Sequence, residues 1–123
     1  MTKDEQTLAD LKALLAFFKD PTNWTQGTYT HAKPEDPTKT CHCLAGGIMR
    51  IAGITDHFNT LRMLDTRVIR MRKALGFAYA ADLFRWNDSS HTAHSSVLKR
   101  IRAAIKTLTP QKPAKRKYIR KSK

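Results

Sequence analysis

Four stretches of this chain repeat apolar residues at the three-and-four spacing of a helix, and each is closed by proline or glycine. No other feature constrains the fold as tightly, because a stripe with a 3.6-residue period must be buried against other helices. The first stretch opens on Thr2-Lys3-Asp4-Glu5, the spacing of a capping box. It runs through Leu8, Leu11, Leu15 and Phe18, widened by Leu14 and Phe17, and stops at Asp20-Pro21. The second is expected to be capped by Thr40 and carries Leu44, Ile48 and Ile51 up to Gly53. Gly46-Gly47 weakens it by about 1 kcal/mol per glycine, a loss that a close-approaching neighbour backbone would explain. The third, from about Thr55 to Leu75, repeats Leu61, Leu64, Val68, Met71 and Leu75 and ends at Gly76. A short helical piece over Tyr79–Phe84 then leads into a loop, Arg85 to Ser90. The last stretch, about Thr92 to Leu108, places Val97, Leu98, Ile101, Ile105 and Leu108 inside.

The rest of the chain is poor in strand signals. Trp24 to Thr30 has β-forming residues enough for one short extended segment, and His31 to Lys39, with Pro34 and Pro37, reads as a loop. The expected fold is therefore all-α, a compact bundle of about four helices with that one short extended segment. With 123 residues there is room for one domain and a tail. The domain is set at 1–109 and a flexible basic tail at 110–123, where Pro110 and Pro113 break order and little remains to pack.

Charge is distributed unevenly. Residues 1–40 hold 5 bases and 6 acids, residues 41–109 hold 11 and 4, and residues 110–123 hold 7 and none. A chain that runs from near-neutral to strongly basic points to a phosphate-rich partner. In the tail, Lys112, Lys115, Arg116, Lys117, Arg120, Lys121 and Lys123 surround Tyr118. Such a strand gains affinity by displacing counterions condensed on a phosphate backbone, and Tyr118 offers a face for an unpaired base. The third and fourth stretches extend this footprint with Arg62, Arg70 and Lys73 on one stripe and Lys99, Arg102 and Lys106 on another. Either stripe alone also fits an ordinary solvated helix face. The expected partner is DNA, RNA or a nucleoprotein complex. A membrane partner is disfavoured: no run approaches the roughly 20 apolar residues of a spanning helix, and the tail's one aliphatic side chain beyond alanine is Ile119. The opening segment has early acids and no apolar run, and two cysteines are too few for a disulfide framework, so a cytoplasmic setting is expected. Oligomeric state is left open.

Two sharper chemistries are compatible with the polar residues. Cys43 at a helix start, with His91 as base and Asp88 or Asn87 orienting it, has the residue types of a nucleophilic triad. Cys41, Cys43, His91 and His94 supply two thiols and two imidazoles, a tetrahedral zinc set by type, although the spacing matches no standard finger. A plainer account assigns Trp86 to the edge of the core, Asn87 or Asp88 to neighbouring loop amides, and Ser90 or Thr92 to a helix cap. That account is preferred, so neither catalysis, nor a metal, nor a cofactor is expected.

Trp24 with Gly27, Cys43-Leu44-Ala45-Gly46-Gly47, Ala74-Leu75-Gly76-Phe77 and Trp86-Asn87-Asp88 followed by Thr92 and Val97-Leu98 occur in an order that resembles an uncharacterised family of small bacterial and phage proteins. Its members have a Cys-x-x-Gly-Ala helix and a Trp-Asn-Asp loop before a last helix. The resemblance spans about residues 5–108 and implies a compact helical domain without implying an activity. By position, Cys43 matches the family cysteine and Asn87 and Asp88 its polar pair. Gly47 departs from the usual alanine, and His91 stands where glycine or arginine is commoner. Taken together, the chain reads as a non-enzymatic nucleic-acid-binding protein, with an accessory or inhibitor of a nucleic-acid machine as the analogy. The alternatives are a Cys-dependent enzyme and a module for an acidic protein surface.

Overall fold

The Thr2 and Glu5 side chains close a reciprocal cap: Thr2 Oγ1 accepts from the Glu5 amide at 3.1 Å, and Glu5 Oε1 accepts from the Thr2 amide at 2.7 Å. From it rises α1 (Lys3–Phe18), which buries Leu11, Leu14 and Phe18 completely. A computed structural model describes residues 1–27, 30–33, 36–54 and 64–110 of the chain. Within these, α1 is followed by a 3₁₀ turn (Pro21–Asn23), strands β1 (Thr30–Lys33) and β2 (Asp36–His42), and helices α2 (Leu44–Ile51), α3 (Thr66–Ala74), α4 (Ala80–Asp88) and α5 (His94–Leu108).

The helical class holds, with five α-helices among the described residues. The extended part differs from expectation. Residues 31–33 and 36–39, within the stretch read as a loop, contribute most of a two-stranded antiparallel ribbon that pairs Thr30 with His42, His31 with Cys41 and Ala32 with Thr40. A bulge between Ala32 and Lys33 shifts the register before Lys33 meets Asp36. Proline argued against strand here, but each strand of a two-stranded ribbon has an unpaired edge where a missing N–H is tolerated. Trp24 lies beside β2 as an isolated parallel bridge to His42. Because β2 continues to His42, Thr40 does not cap α2. Cys43 does, its Sγ accepting from the Gly46 amide at 3.3 Å.

α2 is the interior helix. Every residue from Leu44 to Met49 is buried, and it packs against α1, α3 and α4. α3 starts later than the apolar spacing suggests, at Thr66, because Asp65 Oδ1 accepts from the amides of Arg67 and Val68. Leu64 is consequently exposed rather than part of the seam, whereas Val68, Met71 and Leu75 are buried as expected. Residues 55–63, which include Leu61 and Arg62, lie outside the described residues. α4 continues through Trp86, Asn87 and Asp88, so the expected loop from Arg85 is helix. Amide–carbonyl bonding there continues to Ser89, whose N–H reaches the Trp86 carbonyl. α5 packs along α1 and buries Val97, Ile101 and Ala104. The Ser90 or Thr92 cap does not form. Ala93 holds the cap position, and Ser96 Oγ accepts from its amide at 3.3 Å.

One part-buried ion pair ties three helices. Arg67 donates twice to Asp10, from Nε at 3.1 Å and Nη2 at 2.7 Å, and once to the Ile51 carbonyl at 3.1 Å. Gln6 completes the shell of the Asp10 carboxylate. No helix among the described residues is long and apolar enough to cross a membrane.

Gly47 is explained by a side chain and not by a backbone. A Cβ there would overlap the Phe18 ring, which is fully buried and has Phe17 packed edge-on at 5.0 Å between centroids. This accounts for glycine at a position where the resemblance leads one to expect alanine. Gly47→Ala should therefore destabilise the fold by about 1–3 kcal/mol through overpacking, despite a helix-propensity gain of about 1 kcal/mol. Urea midpoints of the two proteins decide the sign, and a more stable variant would mean that Phe18 is free to move.

Candidate functional site

α5 buries one face against α1 and turns the opposite one to solvent, where Lys99, Arg102 and Lys106 fall three and four residues apart. The helix contains no acid, and none of the three cations enters an ion pair among the described residues. α3 likewise contains four bases and no acid. Of these, Lys73 is exposed and Arg70 half-buried.

The two basic helices meet around the Gly76 turn. Leu75, Gly76, Trp86, Lys99, Arg100 and Ala103 are among the residues lining a shallow groove of about 440 Å³. Beside it, Lys73, Gly76, Ala78 and Tyr79 form a second depression of about 500 Å³. Gly76 lines both, so they adjoin, and neither is lined by an acid. Gly76 has φ 94°, and an added side chain would come within 3.1 Å of Arg100 Nη1.

Several arginines that the sequence counts as surface charge are committed to structure. Arg100 lies over the rings of Phe77 and Trp86, 4.4 and 4.6 Å from their centroids, and donates to the Leu75 carbonyl at 2.6 Å. Burial pulls its pKa down from the ordinary arginine value. Arg72 donates to the carbonyls of Phe77 and Ala78, closing the turn after α3. Arg67 is held by Asp10, whose hydrogen bond raises the guanidinium pKa. Of the predicted nucleic-acid-binding residues, Arg70, Lys73, Lys99, Arg102 and Lys106 remain available on α3 and α5. Arg62 and the tail residues Lys112, Lys115, Arg116, Lys117, Tyr118, Arg120, Lys121 and Lys123 lie outside the described residues. The sequence reading missed Tyr79, which is 72% exposed at the start of α4.

A separate polar cluster forms where α4 ends. Asn87 is 1% exposed, and its Oδ1 accepts from Trp24 Nε1 at 2.8 Å and from the Leu44 amide at 3.0 Å. Its Nδ2 donates to the Thr25 carbonyl at 3.2 Å and to Asp88 Oδ1 at 2.9 Å. Asp88 Oδ1 also accepts from the Gly27 amide at 2.9 Å, where the chain turns with φ 85°. Gln26 Nε2 donates to the carbonyls of Asn87 and Ser89. The residues that carry the family resemblance thus bond to one another, and what they do is join three distant segments of backbone.

This arrangement does not supply the triad or the zinc set. Cys43 is 4% exposed and spends its sulfur on the Gly46 amide. Burial pushes its thiol up to about 11, with the Asp88 charge adding to the rise, whereas a nucleophilic cysteine needs a lowered pKa. His91 is exposed on the turn before α5, and its amide donates to Ser89 Oγ. His94 Nε2 donates to the Phe18 carbonyl at 2.6 Å, tying the start of α5 to the end of α1. Among the described residues no group of three or more His, Cys, Asp or Glu side chains is placed to hold a metal ion, so Cys41, Cys43, His91 and His94 are not brought together. Cys41 and Cys43 are both buried.

Two outcomes follow from this geometry. Asn87→Ala strands the Trp24 indole, the Leu44 amide and the Thr25 carbonyl together, and should cost about 3 kcal/mol of stability in urea unfolding. Cys43 gives a pH signature. Its folded pKa of about 11 lies above its ordinary 9.0, so the unfolded chain loses the proton first. Its contribution is complete below pH 9 and is lost as pH rises to 11, an effect of about 2–3 kcal/mol. Comparing wild type with Cys43→Ser across that window isolates it. A wild-type curve no steeper than that of the serine variant would mean that the thiol is not desolvated.

No curated protein and no solved structure matches the chain. A family model does, over residues 2–107, which takes in every described helix except the last residue of α5. The chain therefore belongs to DUF6197, a family of unknown function.

Proposed function

We propose that this protein binds nucleic acid, without catalysing a reaction, through the basic surface of α3 and α5. One observation carries the reading: Lys99, Arg102 and Lys106 share an exposed stripe of a helix that has no acid in 15 residues. Like charges three and four residues apart cost a helix a few tenths of a kcal/mol per pair. A helix shaped for stability alone would interleave acids, and α1, which pairs Lys3 and Lys12 with Asp4, Glu5 and Asp10 in its sequence, does so. A phosphate backbone supplies the missing counter-charge.

Lys73 and half-buried Arg70 extend the stripe onto α3, and the basic segment 112–123 adds a further seven cations in the sequence. With its phosphate contacts set by lysine and arginine on a helix surface, such binding is tolerant of sequence. An accessory or inhibitory part on a nucleic-acid machine of the phage type suits a chain this small and basic, by analogy alone. The burial and raised pKa of Cys43 weigh against the thiol-enzyme alternative.

Fluorescence anisotropy with a generic duplex and a generic RNA tests the proposal. Affinity should fall steeply with salt. Replacing Lys99, Arg102 and Lys106 together by glutamine should lower the slope of log K against log salt by about 2–3, since each phosphate contact contributes about 0.7–0.9. Deleting residues 110–123 should weaken binding further. Absence of binding to either probe at low salt would reject the proposal and favour an acidic protein surface as partner.

A further inference from the structure

The backbone of Tyr79 starts α4, its carbonyl accepting from the Asp82 amide at 3.1 Å, while its ring faces solvent. Tyr79 is the N-cap residue of α4, a place that Ser, Thr, Asn or Asp stabilises by capping the free amides, and its side chain makes no cap hydrogen bond. The ring is 72% exposed, one of three large hydrophobic side chains so exposed among the described residues. With Lys73 it lines the depression that shares Gly76 with the groove between the end of α3 and α5.

The groove continues the same chemistry. Its lining is largely apolar, with Leu75, Ala103, Ala104 and Trp86, and includes Lys99. Ala103 is exposed, and Arg100 is fixed over Trp86 and Phe77, which makes that wall rigid. Gly76 lines both hollows, and a side chain there would come within 3.1 Å of Arg100 Nη1. An exposed aromatic, an apolar slot and two lysines, with no acid in either hollow, suit a ligand that alternates flat apolar faces with negative charge. A duplex hides its base faces and presents phosphates alone, whereas a single strand presents both.

We infer that the Tyr79–Gly76–Lys99 surface takes single-stranded nucleic acid, with one base stacked on Tyr79, a neighbouring base in the groove beside Ala103, and phosphates on Lys73 and Lys99. This rests on the nucleic-acid reading above and adds to it a preference for unpaired bases. The anionic backbone alone satisfies the lysines. The aromatic ring and the slot are satisfied by bases that are free of partners.

Binding of three labelled probes tests this at one salt concentration: an oligothymidylate, the same sugar–phosphate backbone without bases, and a duplex of equal length. The oligothymidylate should bind most tightly. Tyr79→Ala should weaken it by about tenfold, the scale of one lost base–aromatic stack, and leave the other two probes within about twofold. Ala103→Phe, which fills the slot from an exposed position, should act in the same direction. Circular dichroism confirms that both variants fold. If the base-free backbone binds as tightly as the oligothymidylate, or if Tyr79→Ala leaves the latter unchanged, the inference fails while salt-dependent binding keeps the nucleic-acid reading intact. If no probe binds, both fail.

Discussion

The side-chain amide of Asn87 is the contact on which the arrangement of the other elements depends. A buried primary amide has to place two donors and an acceptor, and leaving any of them unmet costs about 1–3 kcal/mol. Asn87 meets them with partners that lie far apart in sequence: the Trp24 indole, the Thr25 carbonyl, the Leu44 amide and Asp88. A single group therefore fixes the end of α4 against the start of α2 and against the segment that leads into β1. Leucine at this position would match the volume but would orphan the Trp24 and Leu44 donors. The geometry is available because α4 does not stop at Phe84: one further helical turn delivers Trp86, Asn87 and Asp88 in a fixed relation.

The basic surface follows from that fixed turn. Thr92 Oγ1 donates to the Trp86 carbonyl at 2.6 Å, and Gln26 holds the Ser89 carbonyl. His94 then ties the first turn of α5 to the carbonyl end of α1. With its start held on both sides, α5 has its rotation set, and Val97 and Ile101 point inward. The outward face is then occupied by Lys99, Arg102 and Lys106, and Arg100 falls between the two faces, over Trp86. The same tryptophan thus stands next to the buried amide in sequence and under the guanidinium in space. Packing and surface charge meet at that residue.

The helical class and most of the buried set were legible because periodicity is local: Leu11, Leu14, Phe18, Val68, Met71, Val97 and Ile101 are read from spacing alone and are buried. Element boundaries were less so, because they depend on partners the sequence does not display. Asp65 as an N-cap displaces Leu64 from the seam, and Cys43 as an N-cap lets β2 run past Thr40. The ribbon was masked by Pro34 and Pro37, whose rule against strands is strong in the centre of a sheet and weak at its edge. The polar cluster was partly visible, in that Trp24, Cys43, Asn87 and Asp88 all stood out in the order of motifs. Gln26 carried no signal, since a glutamine that reaches backbone carbonyls looks in sequence like any surface glutamine. Tyr79 was read merely as the first residue of a short helix, and its exposure is a property of the tertiary turn at Gly76.

Net charge overstates how many cations are free to meet a partner, and the structure sorts them. Arg67, Arg72 and Arg100 each use a planar, multiply donating head to close a carboxylate, a pair of carbonyls or an aromatic stack. Lysine has no such fork and binds as a hydrated point charge on a flexible stem. On α3 and α5 the exposed cations, Lys73, Lys99, Arg102 and Lys106, are mostly lysines. That division separates the two demands on the chain. Directional hydrogen bonds, concentrated in arginine and in Asn87, hold the helices in register. Under the proposed function, charges on the outer face would follow a phosphate backbone without disturbing the interior, because none of them takes part in holding it.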